Sequence, residues 1–251
     1  MHQQMLAMTK LYHYNTRMNQ KRQALVLSCH PDSKSFCRSI AKLAYDRLAQ
    51  VSQESEPDQG LEVGILDLYD KPIDPIMTYE ELSRKTSFDP AIQEYVRLME
   101  SLDLLVMVYP DWWGQMPGLL KGWIDRVFRP GFAYTFIGPD EGPKEPKGLL
   151  SHLKTLVFVT TDQDPNSSNQ QTLTKQTKLL KKKPPVSIGL TNTLHHGIWQ
   201  QITDFTELDL IDLKVFGPMY KALIGQRRSW LDEADRLVTN MAVKKINQKD
   251  P

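Results

Sequence analysis

Short apolar runs alternate with amphipathic stretches along most of this chain. QALVLSC (23–29) and LEVGILDLY (61–69) are compact runs rich in Leu, Val and Ile, and each reads as a buried strand. LDLLVMVYP (102–110) is apolar on both faces, which predicts a central strand covered on each side. A fourth strand is expected at about 155–160 and a fifth at 208–216. Between them, SFCRSIAKLAYDRLAQV (35–51) spaces Ile40, Leu43, Ala44 and Leu48 at helical intervals, with Ser35 as a natural N-cap. DPAIQEYVRLMES (89–101) predicts a helix capped by Asp89 with Pro90 in its first position. Further helices are expected at 116–128, 192–205 and 225–243. KPIDPIM (71–77) carries two prolines and should stay irregular.

Strands that alternate with helices imply a parallel sheet with helices on both faces and right-handed crossovers. The expected class is a three-layer α/β fold, doubly wound, with its five strands in the order 2-1-3-4-5. In that order ligands sit at the carboxyl ends of strands one and three, where the winding reverses. The loops there are the two most unusual of the chain, CHPDSKSF and YPDWWGQM. One domain is expected over 23–246, preceded by a tail or arm at 1–22 and interrupted by a polar insertion at 162–186.

The first loop offers the hydroxyls of Ser33 and Ser35, the Lys34 ammonium, His30 and a helix N-terminus. That set suits a phosphate, although Ser35 as a simple cap and His30 as packing explain the same residues. The second loop sets Trp112, Trp113 and Gly114 between Pro110 and Pro117. An indole gives a planar ligand a large flat face, and Gly114 lets backbone come close. Core packing is the alternative for either indole taken singly. Two adjacent loop residues rarely both face inward, so one should face a ligand or a partner. Thr160 and Thr161, at the end of the fourth strand, are placed to meet a polar ring edge.

Several classes are excluded. A thiol phosphatase needs Cys, five residues and Arg, but that position is Ser35 after Cys29 and Leu43 after Cys37. There is no G-x-G-x-x-G after the first strand and no G-x-x-x-x-G-K-[ST], so neither dinucleotide-fingerprint nor P-loop chemistry is expected. The 251 residues carry 31 basic and 30 acidic side chains. A near-neutral chain gives no reason to expect nucleic acid, and KLLKKK (178–183) reads as a solvated stretch. Two cysteines fit neither a disulfide framework nor a zinc site, so no metal is expected and a cytoplasmic location is.

The loops HPDSKSF and YPDWWGQMPGLLKGWIDRVFRPGFAYTF, with TT at the fourth strand, resemble the flavodoxin-like NAD(P)H:quinone oxidoreductase family. The likeness covers about 25–161 well and the remainder loosely. It implies a flavin whose phosphates are held by His30, Ser35 and Phe36, with Cys37 where many members have Asn. It implies that Pro110, Asp111, Trp112, Trp113 and Gly114 cradle the isoalloxazine, and that Thr160, Thr161 and Asp162 cover its pyrimidine side. Trp113 and Tyr134 would line the place of nicotinamide and acceptor. Members dimerise, so a homodimer is implied, with LLKGWIDRVF and GFAYTF near its interface. The form of the first loop is closer to FAD-binding members, with FMN as the alternative.

The implied activity is transfer of hydride from NAD(P)H through the flavin to a quinone or similar acceptor. The chain departs from the family in TTDQD after the fourth strand, and in having no Tyr between 161 and 219. His195 and His196 are what remains for a catalytic histidine, against the plainer reading of a neutral surface histidine. These departures leave room for a second reading, a flavin-binding regulatory subunit of a membrane transporter with weak turnover.

Overall fold

The computed structural model describes residues 21–56, 60–139, 142–165 and 190–248. Most of the 1–22 tail and of the 162–186 insertion, KLLKKK included, lies outside the described residues. The strands are β1 (Arg22–Ser28), β2 (Leu61–Asp67), β3 (Leu102–Pro110), β4 (Tyr134–Ile137), β5 (Glu145–Gly148), β6 (Lys154–Thr160) and β7 (Asp209–Phe216). The helices are α1 (Phe36–Gln53), α2 (Tyr79–Arg84), α3 (Pro90–Glu100), α4 (Gly118–Val127), α5 (Leu190–Thr206) and α6 (Ile224–Asn247).

The main sheet runs β2-β1-β3-β6-β7 and every pairing in it is parallel. Counted among its own five strands, that is the expected 2-1-3-4-5 order. Strand periodicity sorts the core into two layers. On β1, β3 and β6, Leu25, Leu27, Leu105, Met107, Tyr109, Val157 and Val159 join the layer that holds Trp123 of α4 and Trp199 of α5. Ala24, Val26, Leu104, Val106, Val108, Leu156 and Phe158 join the layer filled from α1 and α6. Trp123 has no exposed surface, so it belongs to packing.

The helix starts follow their caps. Ser35 accepts from the Arg38 N–H, and Asp89 accepts from the Ala91 N–H ahead of Pro90. The helix expected at 116–128 begins later, at Gly118, because Pro117 takes the cap position. Gly122 lies against the irregular 71–77 segment. A Cβ there would sit 2.3 Å from the Pro75 carbonyl oxygen, so only glycine permits that approach.

Strands β4 and β5 and helix α2 escaped the sequence reading. β4 and β5 form an antiparallel hairpin, and β5 is the sequence EPKG, whose Pro and Gly give no strand signal. α2 is six residues long, too short for periodicity, although the Thr78–Glu81 capping box announces it.

Candidate active site

Three loops meet at the carboxyl ends of β1, β3 and β6. The Asp111 N–H donates to the Thr160 carbonyl at 2.7 Å, Cys37 Sγ lies 3.0 Å from Thr160 Oγ1, and the His30 and Trp112 rings meet edge-on at 6.5 Å. The topology therefore brings CHPDSKSF, YPDWWGQM and TTDQD into one crevice mouth.

In the first loop, His30 Nδ1 accepts from the Asp32 N–H at 3.0 Å and the Lys34 N–H donates to Asp32 Oδ1 at 2.8 Å. Burial lowers the His30 pKa and outweighs the opposing pull of Asp32. The ring is therefore neutral at pH 7, with its proton on Nε2. At the head of α1 the Ser35 hydroxyl oxygen serves Arg38, while the N–H groups of Phe36 and Cys37 have no carbonyl partner within the helix. A neutral His donor, a helix N-terminus and the exposed Lys34 make a donor set for a phosphate.

In the second loop, residues 112–115 form a tight turn closed by reciprocal bonds, Trp112 N–H to Gln115 O at 2.9 Å and Gln115 N–H to Trp112 O at 3.2 Å. Its two central residues have positive φ, Trp113 at 60° and Gly114 at 80°, as a type I′ turn requires. A left-handed tryptophan is uncommon. It lifts the Trp113 indole clear of the chain, 97% exposed, while Trp112 is 40% exposed.

Asp111 does the opposite. Continuing the alternation of β3, it points with Tyr109 toward α5. Its side chain is almost wholly enclosed, accepting from Thr161 Oγ1 at 2.9 Å and lying 3.0 Å from His195 Nε2. Burial alone would raise its pKa, but bonds from His195, Thr161 and the Gly114 N–H hold it below the ordinary value. Behind it, His195 Nδ1 lies 3.3 Å from Tyr109 Oη, which accepts from Trp199 Nε1 at 2.9 Å. Burial pushes the Tyr109 pKa upward despite the Trp199 bond, so its hydroxyl keeps its proton and can donate to His195.

The other expected site residues have partners of their own. The Thr160 hydroxyl is turned to Cys37 and that of Thr161 donates to Asp111. Cys37 is buried on the α1 side. Burial, with Asp67 nearby, pushes both thiols up to about 12, which makes them inert. The Phe36 ring leans on Trp230 of α6 at 6.0 Å. Pro110 is buried at the end of β3, and Asp162 is exposed at the mouth. Tyr134 packs edge-on against Phe205, with centroids 4.6 Å apart.

The surface reading of His195 is corrected, because that residue has no exposed surface. The side chain reaches the loops through Asp111, which lies 3.0 Å from its Nε2. His196 is exposed at the surface, and partial burial lowers its pKa against the opposing pull of Asp212 on β7. The Tyr109–His195–Asp111 link had one legible signal: His195 and Trp199 are four residues apart, hence on one face of a helix.

A family model described as a flavodoxin-like fold matches residues 22–183. The chain belongs to that flavodoxin-like family. It is 29% identical over 228 residues to a Haemophilus influenzae protein named an uncharacterized NAD(P)H oxidoreductase, covering 90% of this chain and 94% of that one. It is 28% identical over 160 residues to NAD(P)H dehydrogenase [quinone] 1 of Cavia porcellus, covering 56% of this chain and 53% of the relative, so it spans about half of that protein. A structure of FMN-dependent NADH-azoreductase from Bacillus anthracis in complex with FMN superposes with a TM-score of 0.63 at 14% identity, over 88% of this chain and 99% of that one. The family resemblance carried by the two loops is thereby borne out, and so is the reading of this family member as an oxidoreductase. Among the described residues no group of side chains could hold a metal ion, and no helix is long and apolar enough to cross a membrane.

Proposed function

We propose that this family member is a flavin-dependent NAD(P)H oxidoreductase that reduces a quinone or a similar planar acceptor. The observation that carries the reading is the Trp113–Gly114 turn, a wholly exposed indole held on a rigid turn beside a phosphate-type donor set, at the sheet's switch point. The residues present fit a flavin. His30 Nε2–H, the Phe36 N–H and Lys34 would hold the phosphate. Trp113 would give the ring system a flat wall, and Gly114 would let backbone approach its edge. When bound, the flavin supplies a two-electron carrier that takes hydride at N5. The chain's part is to orient that ring, exclude water from one face and leave the other face open to nicotinamide and acceptor in turn. Similarity to the Haemophilus influenzae NAD(P)H oxidoreductase and to NAD(P)H dehydrogenase [quinone] 1 supports the nicotinamide and quinone, and the FMN of the Bacillus anthracis structure supports a flavin of that size. FAD stays the reading for this chain on the form of its first loop. The features behind the regulatory alternative lie largely outside the described residues, and nothing described favours it.

Trp113→Ala should weaken flavin retention about tenfold or more, since stacking on an aromatic face contributes ~1–3 kcal/mol. Stability should change little, because the side chain packs on nothing. Equilibrium dialysis with FMN and FAD and steady-state NAD(P)H oxidation with a quinone read both effects. Unchanged affinity and unchanged turnover would remove the platform role.

A homodimer belongs to the same proposal. Ile76, Tyr79, Leu82 and Phe88 are each more than half exposed, an apolar surface of the kind that a second copy covers. Tyr134, turned to the exposed rings of Phe136 on the hairpin and Phe205 on α5, would then reach a site only in the partner copy. Sedimentation should give twice the 28.9 kDa chain mass, and a monomer at micromolar concentration would contradict this.

A further inference from the structure

We infer that His195 is a positioning residue for the Trp113–Gly114 platform, acting through Asp111. This rests on the flavin reading for its consequence, but not for its geometry.

The bonds run in one direction. Trp199 Nε1–H donates to Tyr109 Oη, the protonated Tyr109 hydroxyl faces His195 Nδ1, and His195 Nε2 meets Asp111 Oδ1. A hydroxyl donating to Nδ1 leaves the imidazole proton on Nε2, the atom that faces the carboxylate. Thr161 Oγ1–H donates to Oδ2 of the same carboxylate, and the Thr161 oxygen in turn accepts from the Gln163 N–H at 3.1 Å. The Gly114 N–H completes the shell of Asp111. One enclosed carboxylate thus ties α5, the β6 loop and the centre of the platform turn together.

The turn needs such a tie. Its central residues sit in the left-handed region, which costs free energy at Trp113, and its tip packs on almost nothing. The contact that limits Gly114 comes from the same helix: a Cβ there would lie 2.8 Å from Leu194 Cδ1, next to His195 in sequence. A buried carboxylate keeps its position only when its acceptor sites are filled, and His195 fills one of them without reaching the crevice. It therefore orders the loop before any ligand arrives, which lowers the ordering cost of binding.

The test compares His195→Ala with His195→Gln. Glutamine can bring an N–H to the place of imidazole Nε2, whereas alanine cannot. Hydrogen exchange is followed at the Asp111, Trp112, Gly114 and Gln115 amides, with FMN and FAD affinity measured in parallel. For His195→Ala, exchange at those amides should accelerate about tenfold or more while β1 and β3 amides stay protected. Flavin Kd should rise about tenfold. His195→Gln should restore both to within about threefold of the parent. Unchanged exchange at the four amides in His195→Ala, or a glutamine variant no better than alanine, would overturn the proposal and leave His195 as core filling. The exchange arm decides the matter without ligand, so a parent protein that takes up no flavin would sink the flavin reading alone.

Discussion

Arg126→Ala should cost about 3–5 kcal/mol of stability, the largest effect expected of any single substitution considered for this chain. Arg126 and Glu81 are both buried, at 5% and 6% exposure. The guanidinium donates from Nη2 to Glu81 Oε1 at 2.8 Å and to Asp89 Oδ2 at 3.0 Å, from Nε to Glu81 at 3.1 Å, and from Nη1 to the Asp74 carbonyl at 2.6 Å. It is the rivet that fastens the proline-broken 71–89 segment onto α4. Removing it strands the Glu81 carboxylate with Ser87 and the Thr78 N–H as its remaining partners. Urea unfolding should show a lower midpoint with an unchanged slope. A loss under ~1 kcal/mol would mean that water enters and solvates the carboxylate. The same cluster sets a pH dependence. Burial raises the Glu81 pKa, but the bonds from Arg126, Ser87 and Thr78 overrule it and hold it at about 2, against an ordinary 4.5. The unfolded chain therefore binds the proton first as pH falls. The contribution of Glu81 is whole above about 4.5 and is lost as pH drops toward about 2.

Ser35→Asp should leave folding intact and abolish flavin retention. Aspartate caps a helix about as well as serine does, and it favours the positive end of the α1 dipole. Yet it sets a carboxylate beside the proposed phosphate position. Two unit negative charges at about 4 Å repel by about 4 kcal/mol at an effective dielectric of 20, so flavin affinity should fall by at least about a hundredfold. Ser35→Ala makes the opposite trade. It loses the bond to the Arg38 N–H, with a stability cost of about 1 kcal/mol, and it affects the ligand far less. Thermal melts and flavin titrations of the pair separate the two roles of this position. If Ser35→Asp binds flavin as the parent does, the phosphate does not sit at this helix.

The sheet was legible in the sequence because β1, β3 and β6 are apolar on both faces, a pattern that only a covered parallel strand needs. The Ser-capped helix after β1 and the tryptophan loop after β3 were legible because both are local signals. The inward half of the site was not. Asp111 reads as one more polar loop residue, and only the alternation of β3 carried past its end turns it toward α5. Its partner His195 lies 84 positions away, beyond a segment with no periodicity, so no spacing rule joins them. Thr160 and Thr161 were assigned to a ligand because they end the fourth strand on the carboxyl side of the sheet. The fold spends those hydroxyls on Cys37 and Asp111.

The measurement that tests the account most directly is the visible absorption spectrum of the purified parent protein, before and after titration with FMN and FAD. The account predicts a yellow protein, or one that takes up about one flavin per chain, with chromatography of the heat-released flavin naming the form bound. A colourless protein that takes up neither flavin at tens of micromolar would contradict it, whatever the fold.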